Sequence, residues 1–360
     1  MAIPLLIPSK KSDVHPVQSL HLTRPLTKID RQVFFSGFLW PVCRWYFEAR
    51  IMREQVAPSP MHSSDTSPHF LLRDRLPEQM KRSLPTPGVL FVSKVLSEFS
   101  LPTVCEEASC PNRAECYGQG HVSFMILGDV CTRGCSYCGV TKGKPVALEE
   151  ISDEPERLSA AVKKLGLDHV VVTSVARDDL PDGGASHFRR VMRKIRETCP
   201  GVTVELLVPE FLLPGGGWPK EALELLDDRP DVFNHNIETV RRLTRSFRPQ
   251  GDYDRSLSFL SLARSKGLCT KSGFMVGCGE TEEETHEVIR DLAASGVEIL
   301  TIGQYIPPTG HSRPLQGFLP DESFQKFKKW ALDTGIREVL SGALVRSSYL
   351  ANRLQKGELK

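Results

Sequence analysis

The chain has 360 residues, which is enough for one large barrel domain or two domains of ordinary size. Hydrophobic residues make up 40% of it and charged residues 25%, proportions typical of a soluble globular protein. The net charge of +2 gives no reason to expect a nucleic acid or an acidic membrane surface as a partner.

Cysteine usage and hydropathy indicate the compartment. The chain has ten cysteines and no clear secretory signal, which favours a reducing environment where thiols bind metals instead of pairing. Its longest apolar runs are well short of a membrane span. We therefore predict a cytoplasmic protein with neither a membrane nor a nucleic acid as partner, and an organellar matrix is the alternative location.

Residues 1–60 differ in composition from the rest of the chain. They carry eight Lys or Arg and four Asp or Glu, with several prolines and no lasting helical or strand period. Three interpretations remain open: a poorly ordered tail, a weak transit peptide, or translated sequence upstream of a true start at Met52 or Met61. We expect a poorly ordered extension or a mis-assigned start, in which Cys43 is incidental.

A first group of three cysteines follows a predicted helix at 89–99. Cys105, Cys110 and Cys116 have the spacing C-x4-C-x5-C and lie on irregular chain that ends near residue 120. This is not the spacing of a zinc site built from C-x2-C pairs, whereas closely spaced thiolates suit a soft metal centre.

A second group of three follows the first predicted strand. Cys131, Cys135 and Cys138 have the spacing C-x3-C-x2-C, with Tyr137 directly before the last cysteine. Three cysteines can hold three irons of a four-iron cluster and leave the fourth iron free for another ligand. The alternative is a disulfide or a zinc knuckle, but a group of three cannot pair internally and lacks a fourth ligand nearby.

From residue 121 onward, apolar β-branched runs alternate with amphipathic segments. The predicted strands are 122–127, 169–173, 203–208, 232–235, 270–276 and 299–305. The predicted helices are 153–165, 185–198, 219–227, 237–247, 254–266, 281–295 and 321–335. This alternation predicts a parallel α/β sheet, and six units fit a partial barrel better than a closed one of eight. The pattern alone does not separate a barrel from a doubly wound sheet.

Polar residues lie where the predicted strands end, which is where a barrel places its active site. Thr173 and Ser174 end the second strand, and Asn234 and Glu238 lie at the end of the fourth. For the first pair the alternative is a helix cap, and for the second it is N-capping by Asn236, which lies between Asn234 and Glu238. Arg248 either pairs with an anionic ligand or is solvated.

These motifs resemble known families. The 131–138 loop looks like the cluster loop of the radical S-adenosylmethionine (SAM) enzymes. The first group of cysteines, the 124–129 segment and the 346–349 motif Arg-Ser-Ser-Tyr resemble lipoyl synthase over residues 76–351. The resemblance implies a partial (β/α)6 TIM-type barrel at 121–320. It also implies an N-terminal arm at 61–120 and a C-terminal helix and tail at 321–360, which together carry an auxiliary cluster.

The resemblance also implies two [4Fe–4S] clusters. Cys131, Cys135 and Cys138 would hold the one whose open iron binds SAM. The first group of cysteines would hold the auxiliary cluster, with Ser348 as its fourth ligand. The residues implied as SAM contacts are Tyr137, Thr173, Ser174, Asn234 and Glu238.

The implied reaction is insertion of sulfur at C6 and C8 of a protein-bound octanoyl-lysine, with the auxiliary cluster as sulfur donor. The implied partners are an octanoylated lipoyl carrier domain (an E2 subunit or the glycine-cleavage H protein), reduced ferredoxin or flavodoxin, and an iron–sulfur carrier protein. The alternatives are another sulfur-inserting radical SAM enzyme, either biotin-synthase-like or a methylthiotransferase, and a non-catalytic iron–sulfur or zinc module.

The remaining reactive side chains have plainer interpretations. We expect Cys199, Cys269 and Cys278 to be small buried hydrophobes, although Cys278 stands where the family usually has leucine. We expect His235 to be a packed strand residue, and His311 to be structural or substrate-positioning.

Overall fold

The structure is a computed structural model that describes residues 86–211, 213, 217–310 and 312–355. The predictions for residues 1–60, for the first part of the 61–120 arm and for His311 therefore lie outside the described residues. No helix in the described ranges is long and apolar enough to cross a bilayer.

The described strands form one large parallel sheet and one small parallel pair. In chain order the strands are β1 (Ser123–Ile126), β2 (Val130–Cys131), β3 (Thr141–Lys142), β4 (His169–Ser174), β5 (Thr203–Leu207), β6 (Val232–Asn234), β7 (Thr270–Val276), β8 (Ile299–Gln304) and β9 (Glu338–Gly342). The large sheet has the order β1-β4-β5-β6-β7-β8-β9, and β2 pairs with β3 beside it.

Helices connect most of these strands. In the described residues the α-helices are Pro87–Glu98, Val104–Glu107, Arg113–Gly118, Glu154–Leu165, Ala185–Thr198, Lys220–Asp227, Thr244–Phe247, Tyr253–Ser265, Glu282–Ala294, Asp321–Asp333 and Ala351–Gln355, with 3-10 turns at Leu148–Ile151 and Arg241–Leu243. The Ala185–Thr198 helix shows why they pack: Phe188, Val191, Met192 and Ile195 recur at helical spacing and are all buried.

The strand order distinguishes a partial barrel from a doubly wound sheet, the two architectures that the sequence pattern could not separate. Each strand of the large sheet pairs with the next one along the chain, without the reversal of strand order that defines a doubly wound sheet. Met125 pairs with Thr173 and Thr173 with Leu207, while Met275 pairs with Gly303 at the other side of the sheet. All five residues line one cavity, so the inner face is concave. The partial barrel is confirmed.

Two details of the prediction are wrong. The first part of the segment predicted as a helix at 237–247 is not helical, because Glu238 forms a parallel β-bridge with Phe274 and its amide donates to the Gly273 carbonyl at 3.0 Å. Helical structure starts only with the 3-10 turn at Arg241–Leu243. The sheet also has a seventh strand, β9, whose short, half-polar sequence gave no strand signal.

Candidate functional site

A cavity of about 480 Å³ opens where the barrel strands end. Residues that follow β4, β5, β6 and β8 contribute to its wall, as expected for the C-terminal edge of a barrel. The wall includes both groups of cysteines and the serine of the C-terminal motif: Cys105, Cys110, Cys116, Cys131, Cys135, Cys138 and Ser348. Residues more than 240 positions apart in sequence thus meet at one site.

Backbone contacts hold the 131–138 loop in place. The amide of Thr132 donates to the Ala176 carbonyl at 3.1 Å, and that of Ser136 donates to the Phe247 carbonyl at 2.8 Å. The amides of Arg133 and Ala176 point at the Cys131 sulfur, at 3.4 and 3.3 Å. Such N–H donors stabilise a thiolate, which is the form that binds iron.

The first group of cysteines lies on two short helices and the turn between them. The Val104–Glu107 helix is capped by Thr103, whose hydroxyl accepts from the Glu106 amide at 3.3 Å. The Cys110 amide donates to the Cys105 carbonyl at 3.0 Å, and the His121 amide to the Cys116 carbonyl at 2.8 Å. These bonds fix the backbone that carries the three thiols.

Contacts between the C-terminal tail and the first cysteine segment bring Ser348 to the cavity. Asn112 donates its side-chain amide to the Leu344 carbonyl at 2.6 Å, and the Tyr349 hydroxyl donates to Glu115 at 2.7 Å. The tail turns between them, because the Tyr349 amide donates to the Arg346 carbonyl at 3.0 Å. Ser348 therefore lies within a segment that is tied to Asn112 and Glu115.

The donor set fits iron–sulfur clusters better than single metal ions. All six cysteines are free thiols, and no three His, Cys, Asp or Glu side chains of the described ranges are close enough to hold one ion. A four-iron cluster needs no such convergence, because each cysteine binds a different iron. Burial raises the pKa of Cys105 to about 11 and that of Cys135 to about 12. These thiols therefore stay neutral until a metal displaces their protons.

Four of the five residues predicted as SAM contacts line the cavity: Tyr137, Thr173, Ser174 and Glu238. Tyr137 stacks on Phe247, with ring centroids 6.1 Å apart. Thr173 donates its hydroxyl to the Leu207 carbonyl at 2.9 Å. The buried Ser174 hydroxyl has no hydrogen-bond partner among the described residues, so it suits a polar ligand atom.

Asn234 has a different environment from the other four. It is fully buried on the inner face of β6, and its side-chain amide donates to Glu205 at 2.7 Å and to the Ser347 hydroxyl at 2.9 Å. Asn236, two residues further on, lines the cavity. N-capping is the role that the sequence predicts for Asn236, yet no helix starts there. Asn234 as a SAM contact stays a prediction.

Glu238 has a left-handed backbone conformation and a carboxyl with a raised pKa. Its φ of +70° lies in the left-handed region, which non-glycine residues rarely adopt outside functional sites. Burial raises the pKa of its carboxyl, against the opposing effect of Arg248. Such a carboxyl at a cavity wall is a candidate for contact with a ligand.

A buried ion-pair cluster beside the loop was missed from the sequence. Glu210 pairs with Arg133 and with Arg248, whose guanidinium lies 2.8 Å from it. Arg248 also donates to the Asn236 carbonyl at 3.1 Å, so it is paired and not solvated. Arg133 donates to Asp178 at 2.7 Å. The only signal for Glu210 was its position just after the third predicted strand.

Comparisons with known proteins agree with this geometry. The sequence profile of the radical SAM superfamily matches residues 125–292. The chain is 48% identical over 280 residues to the lipoyl synthase of Rubrobacter xylanophilus, covering 77% of this chain and 85% of that one. It is 46% identical over 282 residues to the lipoyl synthase of Thermus thermophilus, covering 77% and 86% of the two chains.

Among solved structures, Streptococcus suis SuiB bound to S-adenosylmethionine aligns with a TM-score of 0.48 and 11% identity, over 65% of this chain and 54% of that one. A likeness this distant carries no argument about function.

Proposed function

The chain belongs to the lipoyl synthase family of the radical SAM superfamily, and from that premise we propose how its cavity inserts sulfur into octanoyl-lysine. The reaction places two sulfur atoms on an octanoyl chain, at C6 and C8. The observation that carries the proposal is the one cavity wall on which both groups of cysteines and Ser348 meet.

The proposed ligand roles are those that the family resemblance implies, and the shared cavity wall supports them. Cys131, Cys135 and Cys138 hold the cluster that binds SAM, and Cys105, Cys110, Cys116 and Ser348 hold the auxiliary cluster. When bound, SAM and the two clusters supply the reducing electron, the hydrogen-abstracting radical and the sulfur. A serine oxygen is a hard ligand for soft iron–sulfur iron, so Ser348 would be the most weakly held ligand of a cluster that supplies sulfur.

The chain's own residues bind SAM and orient the octanoyl chain. Ser174 offers SAM a hydroxyl that has no hydrogen-bond partner among the described residues, and Glu238 accepts hydrogen bonds from SAM, with Tyr137 and Thr173 beside them. The inner wall is largely apolar, formed by side chains that match an aliphatic chain and exclude water from a radical: Met125, Val171, Leu207 and Met275. No side-chain base could ionise an unactivated C–H bond, which is why the chemistry needs a radical.

The proposed partner proteins are those that would present the substrate, supply electrons and rebuild the auxiliary cluster. The octanoyl chain is presented by a lipoyl carrier domain, either an E2 subunit or the glycine-cleavage H protein. Reduced ferredoxin or flavodoxin supplies electrons, and an iron–sulfur carrier protein rebuilds the auxiliary cluster. The cytoplasm is the proposed location, because free thiols of this number need a reducing environment.

The test compares wild type with Cys105→Ala/Cys110→Ala/Cys116→Ala after anaerobic reconstitution. Iron and sulfide content with Mössbauer spectra should show two [4Fe–4S] clusters in wild type and one in the variant. The variant should still cleave SAM, but mass spectrometry should find no sulfur in an octanoylated carrier domain.

The matched control is Cys199→Ala/Cys269→Ala, which removes cysteines outside the cavity wall and should retain both clusters and sulfur insertion. A single cluster in wild type, or bound zinc, would contradict the proposal. Activity on desthiobiotin or tRNA in place of the carrier domain would favour the other sulfur-inserting enzymes.

A further inference from the structure

The motif at residues 346–349 contains two serines, and the proposed function uses only the second. Ser347 makes two hydrogen bonds to the barrel: its hydroxyl accepts from the Asn234 amide at 2.9 Å and donates to the Asn236 side-chain oxygen at 2.9 Å. No hydrogen bond of the Ser348 hydroxyl is found among the described residues. The two serines therefore differ in their surroundings although they are adjacent in sequence.

The partners of Ser347 are themselves fixed. The Asn234 amide also donates to Glu205 at 2.7 Å. Glu205 accepts in turn from the fully buried Lys271, whose ammonium lies 2.9 Å from one carboxylate oxygen and 3.0 Å from the other. Asn234, Glu205 and Lys271 are all at most 1% exposed. We call Glu205, Asn234, Ser347 and Asn236 the Ser347 network.

The C-terminal tail packs closely against strand β8 beside Ser347. A Cβ on Gly303 would lie 2.2 Å from the Val345 carbonyl oxygen, and the Arg346 guanidinium donates to the Gln304 carbonyl at 3.2 Å. The tail thus lies directly against β8, and Ser347 extends across to β6. Ordering a tail costs conformational entropy, and the two part-buried hydrogen bonds of Ser347 add to the other contacts that keep the tail in place.

The network also connects two parts of the site. Asn236 lies two residues before Glu238 and lines the same cavity, on the side that the proposed function assigns to SAM. Ser347 precedes Ser348 directly, on the side assigned to the auxiliary cluster. One hydroxyl therefore contacts the SAM side through Asn236 and holds the turn that carries Ser348.

We propose that Ser347 is a positioning residue, which holds the Ser348-bearing turn in place and couples its order to binding on the Asn236–Glu238 side of the cavity. The holding role needs no cluster. The coupling role rests on the proposed function, because it assigns SAM to that side. Coupling of this kind is reciprocal: if SAM orders the tail, the ordered tail favours SAM by the same factor.

The first test is hydrogen exchange, followed by mass spectrometry, on the cluster-free full chain. Ser347→Ala should speed exchange of residues 343–350 by about tenfold, the size expected for loss of two part-buried hydrogen bonds. Ser348→Ala, one position away, should exchange like wild type. Ser347→Thr retains a hydroxyl and should keep the slow exchange.

Peptides from β8 report whether each variant is folded, because a variant that unfolds globally exchanges there as well. If Ser347→Ala weakens the whole barrel, exchange of its tail peptide should still rise more than exchange of its β8 peptides, and an equal rise in both would overturn the proposal. Wild-type exchange in Ser347→Ala, or equally fast exchange in Ser348→Ala, would overturn the proposal.

The second test adds SAM to the reconstituted protein and measures exchange of the same tail peptide. SAM should slow exchange in wild type and have no effect on it in Ser347→Ala. If the proposed function fails, SAM changes neither protein, while the cluster-free difference between the serine variants remains. If SAM slows exchange equally in both proteins, the coupling role is overturned.

Discussion

Two glycines on neighbouring strands make room for other chain segments inside the barrel. A Cβ on Gly303 would lie 2.2 Å from the Val345 carbonyl oxygen, and one on Gly273 would lie 2.3 Å from the Thr301 hydroxyl. Neither glycine has a positive φ, so the requirement is for space and not for a special backbone conformation.

Gly303→Ala should therefore destabilise the protein and displace the C-terminal tail. The new methyl meets backbone, which cannot move as a flexible side chain can, so we expect a loss of about 1–3 kcal/mol in unfolding free energy. Urea unfolding measures the loss, and hydrogen exchange of residues 343–350 shows whether the tail has moved. Gly317→Ala is the control, since a Cβ there meets nothing within 4 Å. Equal stability of the two variants would show that Val345 does not lie against β8.

Among single site residues, those that could be predicted from the sequence belong to short motifs with a characteristic spacing. The six cysteines were found because each group of three is complete within 12 residues or fewer. Glu210 and Asn236 were missed because their roles depend on convergence of separate strands. Asn234 and Asn236 project from the same side of the chain, and no local pattern shows how deep in the barrel the cavity begins.

The chain turns at Leu127, between β1 and the 131–138 loop. Buried charged side chains form hydrogen bonds with both the amide and the carbonyl of this residue. Leu127 has a φ of +68°, which is strained for a leucine. Its amide donates to Glu154 at 2.9 Å, and its carbonyl accepts from Arg177 at 3.2 Å. His187 lies 2.7 Å from the same Glu154 oxygen. The direction in which the chain enters the loop is thus fixed by side chains of three other segments.

Glu154→Ala should release this turn. It leaves the Leu127 amide and the His187 ring without their buried acceptor, and we expect a loss of about 2–4 kcal/mol in stability. In reconstituted protein, the iron held at the 131–138 loop should fall while that of the auxiliary site persists, as measured by Mössbauer spectra. Glu156→Ala, on the exposed face of the same helix, is the control and should keep both. An unchanged iron content in Glu154→Ala would show that the turn does not position the loop.

The elements themselves were largely predictable. All six predicted strands are present, with ends within one residue, because β-branched runs buried on both faces give an unambiguous signal. The helix predicted at 237–247 begins only at the Arg241–Leu243 turn, since hydrogen bonds between Glu238 and β7 outweigh the local helical period before it. The start of the Glu282–Ala294 helix was predictable because Thr281 and Glu284 form a capping box.

The interior of the whole barrel contains a buried ion pair that joins strands from its two halves. Glu205 on β5 and Lys271 on β7 are separated by one strand, yet they bond directly across the inner face and are at most 1% exposed. His169 on β4 lies 3.7 Å from the same carboxylate. Strands that are not neighbours in the sheet are thereby joined through the interior, a contact that no local sequence pattern reveals.

Glu205→Gln should show what this pair contributes. Burial alone would raise the pKa of Glu205, but Lys271 and His169 overcome it and lower the pKa to about 2 from an ordinary value of 4.5. The carboxylate therefore stabilises the fold fully above about pH 4.5, and this contribution is lost as pH falls towards 2. At pH 7 the variant leaves Lys271 buried without its anion, and we expect it to be less stable by about 3–5 kcal/mol.

Urea unfolding of wild type and Glu205→Gln between pH 7 and pH 3 tests this. The gap between the two unfolding free energies should be widest near neutrality and narrow as the wild-type carboxylate loses its advantage in acid. Glu322→Gln, an exposed change of the same chemistry in the Asp321–Asp333 helix, should show no such gap. A gap that stays constant with pH would mean that the variant is destabilised by packing, and that the charge of Glu205 does not hold the barrel together.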